Sequence, residues 1–231
     1  DSRMSLLDRP LLQRLAPPRD KALPTFRETP RITAILVALA THRALSAEQI
    51  ARSDGGSARV VRHILKLLTW HGLVRRPEQQ HVFLSTFARH GNVPLIYTIT
   101  RKGMRTLARH GIAVDPRLDY TTKNAGSSAL FLAHQLAVSE TMLTVRFAIN
   151  AARADCRPRL TDHHELLDDF PDITRTRDHP FRLSVTVMEE SKPLTLTIVP
   201  DRLFRLANSE RRWNFALELD RGTEVLLKRS K

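Results

Sequence analysis

The chain has 231 residues, 42% of them hydrophobic, enough to build one large or two modest domains around a real core, which excludes a disordered tail. Its 37 Lys and Arg against 24 Asp and Glu leave a net charge of +13, a balance that favours a polyanionic partner. The single cysteine, Cys156, rules out an intramolecular disulfide and is read as an ordinary surface or core thiol; no apolar run is long enough to span a membrane.

The positive charge is not spread evenly. Through Leu160 there are 25 basic and 11 acidic residues, and from Thr161 onward 12 basic and 13 acidic. The first two thirds would therefore draw in nucleic acid by steering and counterion release, while the last third has some other task. A cytoplasmic location without a membrane partner is the expectation. The start at Asp1, with no apolar signal core after it, is expected of a trimmed chain.

Residues 1–30 carry Pro10, Pro17, Pro18, Pro24 and Pro30 among many Arg, which predicts a flexible basic arm with at most a short helix over 5–15. From Arg31, Ile32, Ile35, Leu36 and Leu39 recur at helical spacing up to about His42. Ser46 followed by Glu48 and Gln49 predicts a capped second helix, stopped by Asp54-Gly55-Gly56. Ser57 then caps a third helix, SARVVRHILKLLTWHG, whose inward stripe is Val61, Ile64, Leu65 and Leu68 and whose left-handed stop is Gly72. Leu73-Val74, HVFLS and PLIYTIT predict short strands around a loop over 86–93, and Thr100 caps a last helix, RKGMRTLARHG.

The order helix, helix, turn, longer helix, hairpin, helix over 31–113, with LSAEQIARSDGGSARVVRHILKLLTWHGLVRR and IYTITRKGMRTLA, resembles a winged helix-turn-helix. That resemblance implies double-stranded DNA as partner, with the third helix in the major groove. Arg59 and Arg62 are the candidates for base edges; Ser57, His63 and Lys66 complete the face, with Ser57 and Lys66 suited to phosphates. Arg89 and His90 would sit at the wing tip, within reach of a minor groove or phosphate. An ordinary solvated cationic face is the competing reading.

The polar stretch 114–128 predicts a linker. After it, ALFLAHQLAVSETMLTVRFAINAAR, with Leu132, Leu136, Met142 and Phe147, predicts one long helix, offered as a dimerisation surface for a homodimer. An irregular acidic segment follows, and then three strands, FRLSVTVM, LTLTIVPDRLFRLA and WNFALELD, adjacent in sequence. The expected fold class is α+β: a winged helix followed, over 129–231, by a mainly antiparallel sheet packed by the long helix. Trp70 and Trp213 are expected to anchor cores.

Pro200-Asp201 ends one strand, and Glu218-Leu219-Asp220 lies on a later one that reads as buried. Alternation puts Glu218 and Asp220 on one face, and strand pairing could add Asp201, three oxygens' worth of ligands for Mg²⁺. The spacing resembles the PD-(D/E)XK nuclease signature, with Asp201 and Glu218 as its acids. The position of the nuclease lysine holds Asp220, so no catalytic residue and no cofactor are assigned, and Mg²⁺ belongs only to the nuclease alternative. The competing reading is a carboxylate pair satisfied by Arg202, Arg221 or backbone amides. Asp162-His163-His164-Glu165 lacks the i, i+4 histidine pair of a helical zinc site and is not taken as one.

HQLAVSETMLTV, VPDRLFRL and FALELDRGTE together resemble the replication-relaxation family of bacterial plasmids and mobile elements, over roughly 31–223. The resemblance implies an N-terminal winged helix joined to a degenerate, truncated nuclease-like domain, and a DNA-binding accessory of replication, relaxation or mobilisation that does not cut. A relaxase or replication protein would be its further partner. Two alternatives stay open: a winged-helix transcriptional regulator dimerising through its C-terminal domain, and a Mg²⁺-dependent nuclease using Asp201, Glu218 and Asp220.

Overall fold

A computed structural model describes residues 23–77, 80, 95–112, 121–122, 126–177, 180–189 and 192–220. Within them the chain is a mixed α+β protein whose strands all pair antiparallel. It divides into two compact units, Asp1–Glu140 and Thr141–Lys231.

In the first unit, α1 (Pro30–His42) starts where the sequence supplies both a cap and a fixed φ: the Thr29 hydroxyl accepts from the Ile32 amide at 3.3 Å and Pro30 opens the first turn. Ile32, Ile35, Leu36 and Leu39 are buried. A two-residue strand β1 (Leu45–Ser46), too short to show a period, leads into α2 (Ala47–Asp54). The Ser46 hydroxyl accepts from the Gln49 amide at 3.0 Å while Gln49 Oε1 accepts from the Ser46 amide at 2.9 Å, a reciprocal capping box. Gly55, at φ 69°, ends α2 in the left-handed conformation.

Helix α3 (Ala58–Trp70) buries Val61, Leu65 and Leu68, one stripe at helical spacing. Strands β2 (Val74–Arg75) and β3 (Ile96–Ile99) pair with Val74 opposite Ile99, and β1 flanks β3 on the other side. Helix α4 (Arg101–Arg109) begins at Thr100, whose hydroxyl accepts from the Gly103 amide at 3.1 Å. The expected strand HVFLS and the loop over 86–93 lie outside the described residues.

The first unit does not stop at the polar stretch 114–128. The long helix α5 (Ala129–Ala151) begins inside it: Leu132 packs with Ala44 and Ile96, and Leu136 lies against them. The buried Ser139 hydroxyl donates to the His42 and Ala44 carbonyls at 3.3 and 3.1 Å, and Gln49 Nε2 donates to the Leu136 carbonyl at 3.0 Å. The division between the units falls within α5, whose first half is tied to the first unit by these hydrogen bonds and by the packing of Leu132. The end of the expected arm is also held: the Pro24 carbonyl lies 3.0 Å from His71 Nε2, and Glu28 pairs with Arg109 at 3.0 Å and His110 at 2.6 Å. Residues 1–22, with the expected helix over 5–15, lie outside the described residues.

In the second unit, the segment expected to be irregular is ordered into β4 (Arg159–Asp162), α6 (His163–Leu166), a 3₁₀ turn (Leu167–Asp169) and α7 (Asp172–Arg175). Each is four residues or shorter, too brief for a periodic signal. The expected strand LTLTIVPDRLFRLA is two strands in different sheets. β6 (Lys192–Ile198) pairs with β5 (Leu183–Glu189), and β7 (Arg202–Ala207) lies between β4 and β8 (Arg212–Leu217). Pro200, which cannot donate to a ladder, marks the break. Met142, Leu143, Leu166, Leu167 and Phe204 are buried, and Phe204 stacks on Phe215 with centroids 4.9 Å apart.

Candidate nucleic-acid interface and carboxylate sites

The apolar stripe of α3 turns the remaining faces outward, and Ser57, Arg59, Arg62, His63 and Lys66 are all exposed. The start of the helix is fixed by the turn before it. Arg31 donates from Nε to Asp54 at 3.0 Å, closing the turn that carries Gly55 and Gly56. Ser57 stands at the N-cap position, but its hydroxyl makes no capping hydrogen bond, so the helix N-terminus keeps donors for an external anion. Arg62 lies back along its own helix, donating from Nε to the Ala58 carbonyl at 3.2 Å. Lys66 Nζ sits 4.7 Å from the Trp70 ring centroid, a cation–π contact that steadies it one turn further on. Trp70 is thus a half-buried platform under Lys66 and not a core anchor. Trp213 is 41% exposed on β8, where alternation was expected to turn it inward. Arg89 and His90 lie outside the described residues.

The carboxylates of the second unit fall into two groups. Asp201 and the Glu218–Asp220 segment do come together, because β7 and β8 pair with Arg202 opposite Leu217. The Leu219 amide donates to Asp201 Oδ2 at 2.9 Å. The strand ends at Leu217, however, so Glu218 and Asp220 lie beyond it and both are exposed, where a buried strand was expected. Among the described residues, Asp201, Glu218 and Asp220 do not bring three ligand atoms within 4.8 Å of one another. One Asp201 oxygen is committed to a backbone amide, and the acid at Asp220 stands where a nuclease would carry the lysine that activates water. This donor set does not fit the catalytic cation of a PD-(D/E)XK nuclease.

The ligand atoms that do converge within 4.8 Å belong to Asp162, His163 and His164. Their geometry is that of a buried ion pair. Arg202 donates to both oxygens of Asp162, from Nε at 2.7 Å and from Nη2 at 2.8 Å, and the His163 amide adds a third donor at 2.7 Å. Asp162 is 2% and Arg202 6% exposed. Burial alone would raise the Asp162 pKa, but the hydrogen bond from His163 and the charge and hydrogen bonds of Arg202 overcome it and hold the carboxyl well below the usual range. His163 is pushed down to about 4, first by burial and then by the nearby Arg202 charge, so its ring is neutral at pH 7. Burial lowers His164 as well. A cation entering here would have to displace a guanidinium from both Asp162 oxygens.

The competing expectation offered Arg202, Arg221 or backbone amides as partners for Glu218 and Asp220; in the structure Arg202 donates to both oxygens of Asp162. Forty positions separate the two, and only the β4–β7 register, with Asp162 opposite Phe204, brings them together. No helix among the described residues is long and apolar enough to cross a membrane. No curated protein and no solved structure matches the chain. The sequence pattern of the replication-relaxation family matches residues 36–230, so the chain belongs to the replication-relaxation family, which suggests a role in the replication or relaxation of plasmids or other mobile elements.

Proposed function

We propose that the chain is a double-stranded-DNA-binding accessory of plasmid or mobile-element replication, relaxation or mobilisation, acting in the cytoplasm and without cleavage of its own. The observation that carries this is the exposed cationic face of α3 in the first unit. Over the described residues from Pro30 to Arg109 the order is helix, strand, helix, turn, helix, strand, strand, helix, with β1 and β2 flanking β3, which supports reading this part as a winged helix-turn-helix. Asp1–Glu140 holds 21 basic against 10 acidic residues, an excess suited to a phosphate backbone.

In this reading α3 enters the major groove, Arg59 and Arg62 reach base edges, and Ser57, His63 and Lys66 hold phosphates through the helix N-terminus and point charges. The test is electrophoretic mobility of duplex fragments selected from the host replicon, measured over a range of salt. Arg59→Ala with Arg62→Ala should weaken binding by about 1–3 kcal/mol per side chain and relax sequence preference, while Lys66→Ala should flatten the plot of log affinity against log salt by about 1. Both side chains are exposed, so the double variant should keep wild-type stability to within about 0.5 kcal/mol. Unchanged affinity together with an unchanged slope would remove α3 from the interface.

A further inference from the structure

From the β5–β6 hairpin we infer an interaction surface that goes beyond DNA binding: its apolar face docks on the same face of a second copy of this chain. The register sorts the two strands into unlike faces. On one side Leu183 lies opposite Ile198, Val185 opposite Leu196 and Val187 opposite Leu194. On the other, Ser184 meets Thr197 and Thr186 meets Thr195, whose hydroxyls are 3.4 Å apart. Such alternation is the mark of a sheet with one face covered. Yet the six apolar residues are 37–44% exposed, and nothing described in the second unit covers them.

A bare two-stranded hairpin is marginal in water, so this one needs a partner surface. At its turn end this face carries Glu189 opposite Lys192, one acid against one cation, so it has no net positive charge to hold a nucleic-acid backbone. Residues from Thr161 onward, 12 basic and 13 acidic, are close to neutral, so two copies of this region do not repel. The six side chains expose on the order of 400 Å² per copy, the size of patch that marks an interaction site. Two such patches bury on the order of 800 Å² in total, which places the pair among weak, concentration-dependent dimers. Edge-to-edge growth is disfavoured because Pro193 sits in β6 and lacks a donor, which leaves face-to-face stacking on a two-fold axis.

Sedimentation of the full chain across a dilution series, without DNA, reads this surface independently of the DNA-binding reading. The wild type should pass from monomer to dimer as concentration rises. Val185→Glu with Leu196→Glu should raise the dimer dissociation constant about tenfold or more. Thr186→Glu with Thr195→Glu, on the opposite face, should leave it unchanged. If the glutamate pair fails to fold by circular dichroism, Val185→Thr with Leu196→Thr keeps strand-forming residues and should shift the constant in the same direction. A wild type that stays monomeric, which would assign the face to another protein or to a membrane, overturns the proposal. So does a dimer that ignores the apolar-face variants.

Discussion

Removing the Arg202 guanidinium takes two hydrogen bonds from the Asp162 carboxylate, 2% exposed, and leaves the half-exposed Arg146, 3.9 Å away, as a distant counter-charge. Arg202→Met should therefore cost about 3–5 kcal/mol, seen as a lower urea midpoint for the transition of the second unit. The companion change Asp162→Leu should restore most of that, because replacing both partners by apolar groups leaves no buried charge unpaired. His163, beside the pair, gives the unit a pH dependence with a definite sign. Its folded pKa, about 4, lies below the ordinary value of 6.5, so between those values the unfolded chain binds a proton that the folded chain refuses. Stability is fully present above pH 6.5 and falls as the pH drops toward 4. Asp162, also depressed, takes stability away below its ordinary value of 3.8, under the His163 window. His163→Gln should flatten the upper window, removing on the order of 1–3 kcal/mol of pH dependence. A wild-type midpoint that is level from pH 6.5 to 4 would show that His163 titrates normally.

At the scale of elements, what could be read in advance depended on length and on local chemistry. Helices α1 and α3 were legible from their apolar periods, and α2 and α4 from caps at Ser46 and Thr100 that accept the amides their positions predict; the Thr29 cap of α1 was not read in advance, and the expected Ser57 cap of α3 makes no side-chain hydrogen bond. β1 and β4 were not, since two and four residues cannot display a period, and their partners lie far along the chain. Nor could the sequence show that Ser139 would donate to the His42 and Ala44 carbonyls and tie the first half of α5 to the first unit. Asp201 was expected to join Glu218 and Asp220 through strand pairing; in the structure it accepts the Leu219 amide, but the strand stops at Leu217 and both later acids are exposed.

One glycine sits at a junction of these elements. A Cβ on Gly103, in the first turn of α4, would collide with the Leu73 carbonyl oxygen and come 2.7 Å from Ile99 Cγ1. That same carbonyl accepts from the Thr100 amide at 3.1 Å, so neither side can give way. Alanine is the better helix former by about 1 kcal/mol, yet the clash should prevail and Gly103→Ala should destabilise the first unit by about 1–3 kcal/mol. A melting temperature that rises would mean the α3–β2 corner yields more easily than its hydrogen bonds imply.

Over the whole molecule, charge and chemistry divide between the units. Residues 1–140 hold 21 basic and 10 acidic groups, and residues 141–231 hold 16 and 14, so the excess positive charge, on which the proposed DNA binding rests, belongs mainly to the first unit. Cutting would have to come from the second, and it would need a hard cation held by several oxygens, with a group to activate water nearby. Asp201 already accepts the Leu219 amide, Glu218 and Asp220 stand in solvent, and Asp220 replaces the lysine a PD-(D/E)XK site uses. Asp162, the most buried acid that could serve, gives both oxygens to Arg202. Supercoiled plasmid incubated with the full chain and millimolar Mg²⁺ or Mn²⁺ should therefore stay supercoiled, at protein concentrations that fully shift it on a gel. Nicked or linear product that disappears in Asp201→Ala would reverse the assignment and make the second unit a nuclease. Nicking that survives Asp201→Ala would place the activity outside the Asp201 and Glu218–Asp220 group.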